Sequence, residues 1–376
     1  MHIAVITEYN PFHMGHKYQL CEVRRAYPNA CITAIMGGIF SQRGEPYIAS
    51  PYTRGEAAVL CGADLVLELP FPFSSAPASV FARAGVEIAA KIGADILAFG
   101  SECGDIDTLK TMLSRLDSDK MRDAVKNESP SIGKTRAYAN AYKRLYGEEC
   151  ADLPNDILAI EYLRAIKRGG YDITPFTIKR IGSFKGGNDG FASATSLRHD
   201  FDAFGADALS GKVPTAAEEL YRREFFGSDI ENLASAVILK LYECGEDIAF
   251  SSDGLLNHIK AASLTAQSIK EVQKAAATKR YTDAEISRCI LYSLLNVTRA
   301  DMEKEVLYTR LFAANARGRE ILNQLSKIEI VTKPSATEKL SAAARAQYEK
   351  TFLAERAFAL CLNEKYEFTK QMPRIK

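Results

Sequence analysis

Two histidines three residues apart, in His13-Met14-Gly15-His16, are the side chains of this 376-residue chain best placed for chemistry. They follow the apolar run Ile3-Ala4-Val5-Ile6 and the turn-forming Glu8-Tyr9-Asn10-Pro11-Phe12, and precede Lys17-Tyr18-Gln19-Leu20-Cys21, which opens like a helix. A buried strand that delivers two imidazoles and a glycine to a helix start suits the phosphates of a nucleotide. Glycine lets the backbone approach the anion, and the helix start presents free N–H groups and the positive end of its dipole. The imidazoles can donate to phosphoryl oxygens as charge develops during adenylyl transfer. Alone, the tetrapeptide also describes an ordinary surface turn; the strand–turn–helix context favours the phosphate reading.

The elements that must position these residues alternate along the first half of the chain, as in a parallel α/β sheet. Strands are expected at His2–Thr7, Cys31–Met36, Asp64–Leu69, Asp95–Phe99 and Thr174–Ile178, with helices over Tyr18–Tyr27, Thr53–Leu60 and Ser79–Ile92 closed by Gly62 and Gly93. Residues 105–150 read as a charged, mostly helical insertion, followed by a helix over Asn155–Arg168. Gly186-Gly187-Asn188-Asp189-Gly190 is a glycine-rich loop before a helix start at Ser193-Ala194-Thr195-Ser196-Leu197-Arg198. Beyond residue 200 helical spacing dominates, as in Leu233, Ala236, Val237, Lys240 and Leu241. The expected division is therefore an α/β domain over 1–205 and a mainly helical domain over 206–376, with the boundary around Gly211-Lys212-Val213-Pro214.

Open α/β sheets bind ligands at the C-terminal edge of their strands, and each predicted strand ends in residues suited to a site. The second leads to Gly37-Gly38 and Ser41-Gln42-Arg43-Gly44-Glu45-Pro46, the third to Glu68-Leu69-Pro70, and the fourth to Gly100-Ser101-Glu102. Taken singly each is an ordinary loop; together they outline one edge. Gly133-Lys134-Thr135 imitates the end of a phosphate-binding loop, but Glu128 stands where its glycine is required and no strand precedes it. His13 and His16 also have a spacing that metals use, yet no further His, Cys or acidic pair accompanies them, so no metal site is expected.

Eight scattered cysteines (21, 31, 61, 103, 150, 244, 289 and 361) fit reduced thiols better than a disulfide framework or zinc site. No apolar run reaches membrane-spanning length, and the N-terminus lacks the basic and apolar regions of a signal peptide. The net charge of +1 neither demands nor excludes nucleic acid. From His258 to Arg319, however, eleven Lys/Arg stand against six Asp/Glu, an excess that suits a phosphate backbone as well as solvated helix faces.

His13-Met14-Gly15-His16 resembles the HxGH signature of nucleotidyltransferases and class I aminoacyl-tRNA synthetases, and Ser193–Arg198 resembles the Ser/Thr-rich partner segment that ends in arginine. The series Glu8–His16, Ser41–Pro46, Gly62–Pro70, Phe99–Glu102, Asn155-Asp156-Ile157-Leu158 and Lys279-Arg280-Tyr281-Thr282 resembles the bacterial tRNA(Met) cytidine acetate ligase family over most of the chain. Ser50-Pro51 departs from the pattern, since many relatives carry an Asp-Lys pair there; Lys17, Arg43 or Arg54 would then have to supply the missing cation.

The resemblance implies a Rossmann-like HxGH nucleotidyltransferase domain followed by a mainly helical C-terminal domain that binds tRNA. It implies a cytoplasmic ligase that activates acetate with ATP and acetylates N4 of the wobble cytidine of elongator tRNA(Met), with no DNA or membrane partner. His13 and His16 would be catalytic. ATP would lie on the 7–20 stretch, chiefly Thr7, Glu8, Tyr9, Asn10, Pro11, Phe12, His13, Gly15 and His16, with Gly100, Asn155 and Arg180 completing the pocket and Ser193, Thr195 and Arg198 over the triphosphate. Lys274, Lys279, Arg280, Arg288 and Arg317 are the tRNA-binding candidates, and Mg2+ suits the role of charge-neutralising partner without an assigned protein ligand. Two other readings stay open at this point: an adenylyltransferase of the same fold acting on a small metabolite, and a non-catalytic tRNA-binding protein.

Overall fold

The structure, a computed structural model, describes the chain except residues 130–132, 149–152, 182–190, 225–227, 246, 252–253, 279, 363–364 and 368–370, and the side chains of 134, 135 and 202. The loop at 186–190 and Lys279 therefore lie outside the described residues.

The first half runs β1 (His2–Thr7), α1 (Met14–Ala26), β2 (Cys31–Gly37), α2 (Pro51–Leu60), β3 (Leu65–Leu69), α3 (Ala78–Lys91) and β4 (Ile96–Ser101). The insertion follows as α4 (Ile106–Leu116), α5 (Asp119–Lys126) and α6 (Lys134–Tyr146), and the chain returns through α7 (Pro154–Gly169), β5 (Thr174–Lys179) and α8 (Ala194–Phe204). Then come α9 (Thr215–Arg223), α10 (Ala234–Glu243), α11 (Leu255–Ser263), α12 (Ile269–Ala276), α13 (Asp283–Leu295), α14 (Arg299–Glu303), β6 (Tyr308–Ala314), α15 (Ala316–Leu322), β7 (Glu329–Val331), α16 (Ala342–Cys361) and β8 (Arg374–Ile375).

Among the described residues the strands form one sheet in the order β5-β4-β1-β2-β3-β6-β7, with β8 also paired to β6. The first five are parallel; β6 lies antiparallel to β3. Side chains alternate between two cores, which explains the continuous apolar runs. Ile3, Val5, Ile32 and Ala34 face Leu20, Val23, Ala57, Leu197 and Tyr221, while Ala4, Ile6, Ile35 and Leu67 face Phe81, Val86, Leu109 and Leu163. A third core gathers Val237, Leu241, Ile259, Val272, Ile290 and Phe358 around Ile39, Phe40, Tyr47 and Phe71, so the helical half is built onto the loop that follows β2.

All five expected strands form, and α1 begins four residues earlier than its apolar periodicity suggested, at Met14 directly after His13. The division at 205 crosses continuous packing. Val213, Ala217, Leu220 and Tyr221 belong to the core beneath β1 and β2, and the chain re-enters the sheet at β6. Val213-Pro214 resembled a linker but is buried. Strand β6 was masked by Arg310, a charged residue in its centre, which is buried against two glutamates distant in sequence.

Candidate active site

Strand β1 ends at Thr7, and six residues later His13 caps α1. Its Nδ1 accepts the Gly15 N–H at 3.0 Å, while the Nδ1 of His16 accepts the His13 N–H at 3.3 Å. Both δ nitrogens being acceptors, the neutral rings carry their protons on Nε2. The rings stack with centroids 3.7 Å apart and 20° between planes. Burial, followed by Arg180 and Arg198, pushes His13 down to about 3; burial, then His13 and Arg180, holds His16 well below the usual imidazole range. Near neutrality the pair is therefore two uncharged N–H donors.

The same shifts fix a pH dependence. In the unfolded chain both rings titrate near 6.5 and in the native chain well below it, so the unfolded state takes up more protons as pH falls. Stability contributed by the pair is present above pH 6.5 and is lost on acidification toward 3. Urea unfolding at a series of pH values checks this: a double His13→Asn/His16→Asn variant is expected to show a shallower acid loss than the parent.

A cavity opens in front of His13 and Gly15, bounded by Gly100, Asn155, Arg180 and Ser193. A Cβ on Gly15 would come within 2.9 Å of the His13 ring, and one on Gly100 within 3.2 Å of the Arg180 side chain, so both glycines make room for cavity walls. Asn155 is held by Glu102, whose Oε1 accepts the Asn155 side-chain amide at 2.6 Å and whose Oε2 accepts the Asp156 N–H at 2.8 Å. Asp156 returns the contact by accepting the N–H groups of Glu102 and Cys103, which clasps β4 to the start of α7. Glu102 is thus a positioning residue for Asn155.

The segment 193–198 reaches the histidine turn as its pairing with the first motif requires. Ser193 caps α8 by accepting the Ser196 N–H, and Arg198 donates to the Asn10 carbonyl at 3.0 Å and to Thr195 Oγ1 at 3.4 Å. Ser193 lines the cavity, whereas Thr195 is exposed.

Residues 7–12, expected to contact the nucleotide, engage their side chains largely within the protein. Thr7, Tyr9, Asn10, Pro11 and Phe12 are buried. Tyr9 and Phe12 pack against the His16 ring with centroids 4.8 and 5.6 Å away, and the Asn10 side chain accepts the Ile48 N–H at 3.1 Å. Glu8 Oε1 accepts the Gln42 N–H at 2.8 Å and the Tyr47 hydroxyl at 3.2 Å. Their side chains build the turn; His13 and Gly15 reach the cavity.

Arg54 is not the missing cation. It is fully buried over the Tyr47 ring, and its guanidinium donates to the carbonyls of Glu8, Gly37, Gly38 and Ala49. Ser50-Pro51 starts α2, with Ser50 accepting the Thr53 N–H. Lys17 and Arg43 are exposed. Arg288 is likewise removed from the tRNA candidates: it is buried and donates to the Gln42 carbonyl at 2.6 Å. Gly44 lies so close to α13 that a Cβ would sit 3.0 Å from the Arg288 backbone nitrogen. Arg317 is exposed but donates to the Ala30 carbonyl, at the opposite end of β2 from the cavity. Lys274 and Arg280 are exposed, and Gly133 of the insertion abuts the Arg280 backbone.

Tyr18 and Gln19, within the 7–20 stretch expected to hold ATP, also line the cavity, as do Ile178, Lys179 and Phe191, which the sequence reading missed. Tyr18 and Gln19 lie one helical turn after Gly15, and Ile178-Lys179 end a parallel strand, so periodicity and the strand-edge rule point to them. Phe191, whose ring centroid lies 6.1 Å from that of Tyr18, carries no such signal. Among the described residues no cluster of three or more His, Cys, Asp or Glu could hold a metal ion.

The chain matches the HIGH Nucleotidyl Transferase family over residues 1–372. It is 33% identical over 357 residues to the tRNA(Met) cytidine acetate ligase of Caldicellulosiruptor bescii, covering 88% of this chain and 86% of the relative. The Thermoanaerobacter sp. tRNA(Met) cytidine acetate ligase is 33% identical over 370 residues, with 90% of each chain covered. The chain belongs to the tRNA(Met) cytidine acetate ligase family. Two crystal structures of Thermotoga maritima TmcAL, one apo and one bound with alpha-thio ATP, superpose with TM-scores of 0.89 and 0.87 at 25% and 26% identity, over 100% of this chain and 99% of those. In this member of the cytidine acetate ligase family, the stacked histidines, Arg180 and the 193–198 segment converge at one end of the sheet. No helix of the described residues is long and apolar enough to cross a membrane.

Proposed function

We propose that the protein is an ATP-dependent acetate ligase acting on tRNA(Met), with N4 of the wobble cytidine of the elongator as acceptor. A carboxylate oxygen of acetate attacks the α-phosphorus of ATP and pyrophosphate leaves, giving acetyl-adenylate. The cytidine amine then attacks the acetyl carbon, loses a proton and releases AMP. The observation that carries this reading is the pair of neutral, stacked imidazoles at the start of α1, of which His13 lines the cavity and His16 stacks behind it, in a chain matched nearly end to end by cytidine acetate ligases.

The chemistry suits these residues. Carboxylate attack on phosphorus needs alignment and charge stabilisation rather than an enzyme nucleophile. His13 and His16 donate from Nε2 to phosphoryl oxygens, Arg180 and Arg198 supply fixed positive charge, and Asn155 orients the nucleotide. Tyr18 and Phe191 offer an aromatic wall to the base. Mg2+ enters this reading as a counter-ion of the nucleotide, and the cytoplasm as the place where tRNA is met.

The helical half would carry the tRNA, with Lys274 and Arg280 at phosphates, so that an anticodon base is splayed toward the cavity. Charge reversal at Lys274 and Arg280 together is expected to weaken tRNA binding and to lower the dependence of log K on log salt by about one for each lost phosphate contact. Filter binding across a salt series measures both; an unchanged slope would remove these side chains from the interface.

Mass spectrometry of tRNA(Met) after incubation with the protein, ATP and labelled acetate tests the reaction. Label on the anticodon cytidine is expected. Pyrophosphate exchange that proceeds without acetate would point instead to another adenylyl acceptor, and tRNA binding without exchange to a non-catalytic protein.

A further inference from the structure

A second cavity lies at the other side of the sheet, where β6 and β7 meet α16. Its floor is a buried ionic triad: Arg310 donates to both oxygens of Glu68 and, at 2.5 Å, to Oε1 of Glu355. Among the described residues Arg310 engages one of the two Glu355 oxygens, and Glu355 itself lines the cavity. Tyr348 and Phe352, one helical turn apart on α16 with centroids 6.4 Å apart, form a wall, and Phe352 is 37% exposed. The exposed rim carries Lys333 and Arg345, whose side chains make no ion pair or hydrogen bond among the described residues, and also Glu349.

The cavity thus joins a carboxylate floor and aromatic faces to a rim of two cations, Lys333 and Arg345, and one carboxylate, Glu349. A carboxylate accepts from the exocyclic amine of cytosine, aromatic faces stack on any base, and Lys and Arg meet phosphate. Burial, offset by Arg310 and reinforced by Glu68, pushes Glu355 up to about 7, so it can serve as acceptor or, when protonated, as donor to a ring nitrogen. Four strand spacings separate β4, whose end lines the first cavity, from β6, which lines the second, roughly 20 Å, a span that a single-stranded RNA loop of several nucleotides covers.

We propose that this cavity is a nucleotide subsite that takes a non-reacting, single-stranded nucleotide of the tRNA substrate, with its base on Tyr348 and Phe352, its amino edge at Glu355 and its phosphate at Lys333 and Arg345. The assignment rests on the tRNA-ligase reading above.

The test compares the parent protein with Arg345→Glu/Phe352→Ala, both changes lying at the exposed rim and wall. Acetate-dependent ATP–pyrophosphate exchange is expected to be unchanged, while the KM for tRNA in acetyl transfer rises about five- to a hundredfold, the range for losing one stacked base. In a second arm, with the ATP site filled by a non-hydrolysable ATP analogue, saturation-transfer NMR is expected to detect CMP on the parent and not on the variant. An unchanged KM for tRNA overturns the proposal, even if CMP binding is lost, because the cavity then takes free nucleotide. CMP binding that persists in the variant overturns it as well. Failure of the parent to acetylate tRNA is a different result and strikes the ligase reading itself.

Discussion

His13→Asn and His16→Ala are each expected to lower acetate-dependent ATP–pyrophosphate exchange by about 10²–10³-fold, the loss typical of removing one preorganised donor from a developing negative charge. Asparagine is chosen at position 13 because it is itself a good helix cap and so retains the role of His13 at α1 while deleting the Nε2 donor. At position 16 alanine removes both the second donor and the ring on which His13 stacks. Circular dichroism and tRNA affinity are expected to stay near those of the parent. Near-normal exchange by either folded variant would remove that histidine from the chemistry.

Arg310→Met is expected to destabilise the fold by about 3–5 kcal/mol, because it leaves Glu68 and Glu355 as buried carboxylates without a counter-charge. The pH dependence has a definite sign. Glu355 is already pushed up to about 7 in the parent, above the usual 4.5, so its native form holds a proton more readily than its unfolded form. Its contribution to stability is most favourable below pH 4.5 and declines as pH rises toward 7. Without Arg310 that decline steepens, so the deficit of the variant is smaller near pH 5 than near pH 8. Urea denaturation at both values measures it. Adding Glu68→Gln and Glu355→Gln is expected to recover much of the loss; a deficit that is independent of pH would mean that packing, not charge, holds this edge.

What the sequence made legible follows from how local its signals are. Four of the five parallel strands, β1 to β4, are continuous buried, mostly apolar runs, so each announces itself within ten residues. His13-Met14-Gly15-His16 and Ser193–Arg198 are short motifs, although only the fold brings Arg198 onto the Asn10 carbonyl. Arg54, Arg288 and Arg310 were opaque for one shared reason. A buried arginine reads as a surface cation until its acceptors are known, and here those are backbone carbonyls in distant loops or glutamates 242 and 45 residues away. The third strand edge misled in the same way: Glu68 is the internal partner of Arg310 and not a ligand-facing group. Charge counted over 258–319 overstated the outer surface, since Arg288 and Arg310 are both buried.

The brace at Arg54 distributes constraint unevenly along the chain. It grips peptide oxygens at positions 8, 37, 38 and 49, and a peptide oxygen is supplied by every amino acid. The loops around the histidine turn can therefore change many of their side chains without loosening this hold, while one codon, at position 54, carries it for all of them. Variation tolerated in the loops and intolerance at a residue no substrate touches are two sides of the same bond pattern.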